Sequence, residues 1–182
     1  MAAPKFNNIK NYLENFGKKV VRDSKKILKK EKGNTALGQS IKFKVVATAK
    51  GFDTQFFMDD YGTYLDEGVS GTNKKQSYIN TKEQKKISQY SYTTKGPPID
   101  ILSKWIKKKG IKPKGLGTGR SKKTGQFVSG FAFLISRKIK REGIKSLSFF
   151  QKPLGVEYKK LQNQILKVLK LDIETYITTF TK

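Results

Sequence analysis

Neither cysteine nor histidine occurs among the 182 residues. Without cysteine there are no disulfides and no thiolate metal sites. Without histidine the chain lacks the commonest metal ligand and the side chain most often used for proton transfer near neutral pH. Nucleophilic triads and His-based nuclease centres are excluded on that inventory. Long apolar runs are missing too: no stretch approaches the roughly 20 residues needed to span a bilayer, and the first 30 residues have no signal-peptide apolar segment. A cytoplasm-like compartment is the expectation. Acidic residues are scarce as well, 14 against 39 Lys and Arg, for a formal net charge of +25.

A surplus of that size favours polyanions, acidic protein surfaces or anionic lipid as company. Lysine that merely fills solvated positions is the plainer reading of the same numbers. The length fits one domain, 1–182, able to bury a core without covalent staples.

Apolar spacing divides the chain into elements. Phe6, Ile9, Leu13, Phe16, Val20 and Ile27 fall on one stripe and predict a long amphipathic helix over 5–31, stopped by Gly33-Asn34. The period then drops to two. Ile41, Phe43, Val45, Ala47 and Ala49 alternate with Lys42, Lys44 and Thr48, which predicts a strand. A turn at Lys50-Gly51 leads into a returning strand over 52–58, and a short helix over 59–67 ends at Gly68. Residues 69–96 are polar, with Tyr78, Tyr90 and Tyr92 interspersed; the stretch is a long loop, arm or short hairpin. Pro97-Pro98 opens a third helix with Ile99, Leu102, Trp105 and Ile106 on its apolar side. A basic glycine-rich loop occupies 111–126. A fourth helix carries Phe127, Phe131, Leu134, Ile135 and Ile139 to a stop at Gly143. The last stretch, after Phe149-Phe150, reads as a helix whose β-branched tail beyond 171 could instead be extended. The fold class is α+β: a long N-terminal helix, a small antiparallel hairpin or sheet, several helices, and two loop insertions.

Charge is segregated along this order. Residues 51–73 contain no Lys or Arg but hold Asp53, Asp59, Asp60, Asp66 and Glu67, whereas 100–145 is dominated by basic residues. Acidic surface on one copy can meet basic surface on the next, and a head-to-tail contact closes into a ring if its rotation allows. Pairing of the acids within their own chain, against Lys42 or Lys44, is the competing arrangement. Lys107, Lys108, Lys109, Lys112, Lys114, Arg120, Lys122 and Lys123 form a potential polyanion or partner contact. No base-reading module accompanies them, so contact with DNA would be non-specific.

Two motifs bear on chemistry. Gly115-x-Gly117-x-Gly119 with Arg120-Ser121-Lys122-Lys123-Thr124 lacks the Gly-Lys-Ser/Thr ending and the leading strand of a phosphate-binding loop. Asp59 and Asp66 stand seven apart, a spacing that would share a helix face and suit a magnesium site, but Tyr61 and Leu65 compete for burial there.

One ordered set of residues resembles a known family. It comprises Tyr61-Gly62-x-Tyr64-x-x-x-Gly68, Pro97-Pro98-x-x-x-Leu102-x-x-Trp105-Ile106 with Gly110, Ile135-x-Arg137-x-Ile139-x-x-x-Gly143-Ile144, and Phe149-Phe150. Together these are similar to the minor tail, neck and tail-completion (head–tail joining) proteins of tailed bacteriophages, over most of the chain. The resemblance implies a structural virion protein, made in the host cytoplasm and built as a six- or twelve-fold homo-oligomeric ring. Its neighbours would be the phage connector and tail proteins, with packaged DNA nearby. It also implies no enzymatic activity, no cofactor and no membrane. Trp105 and Ile106 would anchor the third helix in the core; Gly62, Gly68, Gly110 and Gly143 would allow turns; Phe149-Phe150 would pack the C-terminal segment. A non-specific nucleic-acid-binding protein using 100–145 is the alternative function.

Overall fold

The computed structural model describes residues 6–49, 51–111, 118–120 and 127–180. In chain order its elements are α1 (Asn7–Lys32), α2 (Ala36–Ser40), β1 (Lys42–Thr48), β2 (Gly51–Phe57) and α3 (Gly62–Glu67). There follow β3 (Val69–Ser70), β4 (Ser77–Ile79), β5 (Lys85–Ile87), α4 (Ile99–Lys108), β6 (Thr118–Arg120) and β7 (Phe127–Ser129). The chain finishes with α5 (Gly130–Glu142), β8 (Gly143–Ile144) and α6 (Gln151–Phe180). It is an α+β protein with a long N-terminal helix and small antiparallel sheets. These elements fall into two compact units. One comprises residues 1–66, 79–85 and 147–182; the other comprises 67–78 and 86–146.

The first unit is organised by its two long helices. Leu13, Phe16, Val20 and Leu28 of α1 are buried on the stripe that the spacing marks out. Lysines 29, 30 and 32 occupy its last turn, where the helix dipole favours cations. Neither α1 nor α6 has an acidic residue in its own first turn, so the amino-terminal N–H groups of both need acceptors from elsewhere. Asp172 of α6 serves α1, accepting from Asn8 N–H at 3.0 Å and Ile9 N–H at 2.9 Å. Asp66 serves α6, accepting from Phe150 N–H at 2.8 Å and Gln151 N–H at 3.3 Å. Helix α6 stays helical to Phe180 despite Ile173, Thr175, Ile177 and Thr178. The hydroxyls of Thr175 and Thr178 donate to the carbonyls of Leu171 and Glu174, four residues back, so they find partners without breaking the ladder.

Strands β1 and β2 form an antiparallel hairpin in the register Phe43↔Phe56 and Val45↔Thr54. Its half-buried face lies on α1, and Phe56 meets the rings of Phe16 and Phe150 edge-on at 6.1 and 5.4 Å. Gly17 permits this approach: a Cβ there would stand 2.2 Å from the Phe43 ring. Leu28, Leu37, Ile41 and Phe149 form a buried apolar cluster in the core. A tight turn over 79–85, held by Asn80 Oδ1 accepting from Lys82 and Gln84 N–H, approaches α6 at Gly155. A Cβ at that glycine would lie 2.3 Å from the Thr81 carbonyl oxygen.

The second unit is held differently. Strand β3 pairs antiparallel with β8, matching Val69 to Ile144, and Ser70 also makes a parallel bridge to Ser91. Helix α4 packs on α5 and β7. Among the described residues only Val69, Ile106 and Ala132 are fully buried apolar side chains here, while serine hydroxyls occupy much of the rest. Ser88 donates to the Gly68 carbonyl at 2.6 Å and Ser136 to the Pro97 carbonyl at 2.7 Å. The polar 69–96 stretch therefore contains three short strands.

Trp105 does not anchor α4. It is 45% exposed, and Ile106 is the buried residue. Ile99, Leu102 and Ile106 share the inner face at helical spacing, which leaves Ile101 and Trp105 on the outer one. Gly68, Gly110 and Gly143 do adopt positive φ, whereas Gly62 is a buried residue opening α3.

Candidate functional site

The five acidic residues of 51–73 separate into distinct environments. Asp53 lies on the outer face of β2, opposite Val46. Asp59 and Asp60 sit in the exposed link between β2 and α3, where Asp59 N–H donates to Ser40 Oγ at 3.1 Å. Three aromatic side chains are exposed beside them in sequence: Phe57, Tyr61 and Tyr64. Glu67 is half-buried.

Asp66 departs from the expectation of a subunit contact. It is 2% exposed, and its carboxylate is engaged at the start of α6. A side chain so enclosed has no surface to offer a partner. Nor do Asp59 and Asp66 share a helix face, because α3 begins only at Gly62. No group of three potential metal-ligating side chains converges among the described residues.

Pairing of the acids with the hairpin lysines is not what the register produces. Lys42 faces Phe57 and Lys44 faces Gln55. Asp53, Asp59 and Asp60 make no salt bridge with another described residue.

On α4 and at its C-cap, Lys104, Lys107, Lys108 and Lys109 are exposed around Trp105 and Ile101, again with no salt bridge to a described residue. Exposed Arg137, Lys138 and Arg141 continue the positive charge onto α5. Arg120 ends β6, its backbone opposite Phe127. Lys112, Lys114, Lys122 and Lys123 lie outside the described residues, as does the Lys50 half of the Lys50-Gly51 turn. Exposed cations with an indole among them can neutralise phosphates or carboxylates while the ring supplies contact area. Sequence periodicity hid that indole by assigning it to the core.

A second feature escaped the sequence altogether. A pocket of about 430 Å³ opens in the first unit. Its walls include Leu13 and Phe16 of α1, Thr54 and Phe56 of β2, and Leu154 and Tyr158 of α6. The Thr54 hydroxyl is buried without a hydrogen-bond partner among the described residues. No single segment carries this signal, since its walls are 148 positions apart at the extremes, Leu13 and Leu161.

Titration adds little chemistry. Burial, reinforced by the charge of Glu157, pushes the Tyr12 phenol up, and burial alone does the same to Tyr92. Both shifts keep the hydroxyl neutral. Hydrogen bonding to Asp23 raises Arg22, which only fixes its charge more firmly. No helix among the described residues is long and apolar enough to cross a membrane.

No protein-family model, no curated protein and no solved structure matches the chain.

Proposed function

We propose that this chain is a structural protein of a tailed-bacteriophage virion, one of the copies forming the neck, head–tail joining or tail-completion ring. The observation that carries the reading is the pair of exposed surfaces with opposite charge. Asp59 and Asp60 are exposed beside Phe57, Tyr61 and Tyr64 in sequence, with Asp53 exposed further along β2; Lys104, Lys107, Lys108 and Lys109 are exposed around Ile101 and Trp105. Aromatic area combined with charge is the composition of protein interfaces rather than of merely solvated surface. Two different surfaces of this kind suit a heterologous, ring-closing contact. The ordered residues from Tyr61 to Phe150 that resemble the tail-completion family point the same way. Each copy brings a charge of +25, so a ring would be opposed by its own repulsion unless acidic neighbours or DNA offset it. Connector proteins, tail proteins and packaged DNA are the partners this reading names.

Co-expression with the adjacent virion genes, followed by mass measurement, tests it. Incorporation into a head–tail intermediate is expected. A chain that purifies alone and joins no particle would overturn the proposal.

Exposed Trp105 among lysines also favours the second reading, a protein that binds nucleic acid without sequence preference. Its mark would be a steep fall of affinity with salt, made shallower by about one unit of log–log slope per phosphate-contacting lysine removed. Loss of that slope on changing Lys107 and Lys108 to Ser, with no particle association in the unchanged chain, would favour it over the first.

A further inference from the structure

Strands β1 and β2 form a sheet of two, so each has one edge with no neighbouring strand. Every residue from Lys42 to Thr48 pairs with one from Gly51 to Phe57, yet half of the N–H and C=O groups in such a ladder point away from the partner strand. None of those turned outward bonds to the backbone of another described residue. No residue of either strand is fully buried, so the edges are not covered by packing. An open edge is a template for a further strand.

The two edges carry opposite charge. On the solvent face β1 presents Lys42 and Lys44, and β2 presents Asp53. Within the chain these charges miss one another: Lys42 faces Phe57, Lys44 faces Gln55 and Asp53 faces Val46. None of the three makes a salt bridge with a described residue. Lysines on an edge discourage a like edge from pairing with it, and Asp53 does the same for β2. Each edge therefore rejects its own kind and accepts the other. A second copy supplies both complements at once.

We propose that β2 of one copy adds antiparallel to β1 of the next, with Asp53 opposite Lys44. This rests on the reading above in taking the partner to be a second copy. One register suits both faces of the joined sheet. With Lys44 and Asp53 paired on the solvent face, Val45 falls opposite Phe52 and Phe43 opposite Thr54 on the half-buried face. Val45 with Phe52 is a β-branched–aromatic pair of the kind that stabilises antiparallel ladders. The backbone bonds of the added strand need no net charge, so they help to offset repulsion between copies of +25. Because the two edges differ, the contact is head-to-tail. Rotation about an axis along the strands keeps every hairpin the same way up, the arrangement that closes into a ring.

The test uses full-length chains carrying Lys44→Glu or Asp53→Lys, both at exposed positions, with circular dichroism to check that each is folded. Light scattering should show concentration-dependent association of the unchanged chain. Either variant alone sets like charges opposite each other and should associate at least about fivefold more weakly. An equimolar mixture of the two should regain the association of the unchanged chain, because every junction of an alternating assembly again joins opposite charges. The chain has no cysteine, so Lys44→Cys and Asp53→Cys chains mixed under oxidising conditions should form a disulfide between them. An unchanged chain that stays monomeric at every concentration overturns the proposal. So do variants that associate as before, a mixture no better than its components, or Lys44→Cys chains that link only to each other. Association indifferent to both reversals, in chains that still enter particles, would sink this contact and leave the virion reading standing. Rescue by mixing, in a chain that enters no particle, would do the reverse.

Discussion

The Asp172 carboxylate accepts the backbone N–H of Ile9 at 2.9 Å across 163 positions of sequence. It also accepts Asn8 N–H, and Asp172 is only 4% exposed. The first turn of α1 is thereby capped by α6, and the side chain of the residue at the usual capping position, Phe6, makes no such bond.

Removing that carboxylate should be costly. Asp172→Ala leaves two helix-end donors without their acceptor and removes a negative charge from the positive end of the dipole, about 1–2 kcal/mol by analogy with local caps. Urea denaturation should show the midpoint falling at unchanged slope, with Asp172→Asn retaining part of the loss. An unchanged midpoint for Asp172→Ala would contradict the capping role.

The acids of the 51–73 stretch should divide by substitution. Asp66→Ala should lower stability by a similar amount, since it frees the N–H groups of Phe150 and Gln151. Asp59→Asn and Asp60→Asn should leave thermal unfolding within about 0.5 kcal/mol of the unchanged chain, as exposed positions do. Equal losses at all three would refute the division into one enclosed and two surface carboxylates.

At Gly155 two effects oppose each other. Alanine in a helix interior gains about 1 kcal/mol over glycine, but here its methyl would meet the Thr81 carbonyl. Overpacking against backbone costs about 1–3 kcal/mol, so Gly155→Ala should destabilise and shift the amide resonances of 79–85. A stabilised variant would show that the turn yields freely.

Tyr92 predicts an alkaline dependence. Burial holds its phenol above the ordinary value of 10.0, so as pH rises the unfolded chain ionises first. Its contribution is complete below the unfolded value and falls away as pH climbs through the folded one. The free-energy difference between the unchanged chain and Tyr92→Phe should be flat up to about pH 9 and decline above it. A difference that grows with pH would reverse the sign.

The second unit should open more readily than the first. Among its described side chains only Val69, Ile106 and Ala132 are buried and apolar, against Leu13, Phe16, Val20, Leu28, Leu37, Ile41 and Phe149 in the other. Amides of Val69, Ser70 and Tyr92 should exchange through smaller openings than those of Val20 and Leu28 in native-state hydrogen exchange.

Periodicity made the clearest parts of the fold legible. The stripe through Leu13, Phe16 and Val20 located α1 to within two residues at each end, and alternation around Phe43 and Val45 located the hairpin. Both signals are local and repeat several times. Trp105 was misplaced because a four-residue apolar cluster on a ten-residue helix fits two neighbouring phases, and the choice of inner face belongs to what α4 packs on. The capping roles of Asp66 and Asp172 were illegible for another reason: an acid's sequence neighbours say nothing about a helix end far along the chain. The segment after Leu171 looked extendable because β-branched residues weaken helix propensity; threonine bonding to the preceding turn removes part of that penalty.

Neither compact unit is continuous in sequence, since residues 67–78 and 86–146 are enclosed between pieces of the other. During synthesis, the enclosed unit has left the ribosome before α6, which contributes Asp172 to the cap of α1 and pocket walls to the enclosing unit. Vectorial translation therefore completes the sequence of the inserted unit first and leaves the N-terminal helix waiting, its leading turn uncapped, until residues 147–180 follow. Chaperones that shield exposed apolar stripes would find their longest-lived client in that interval.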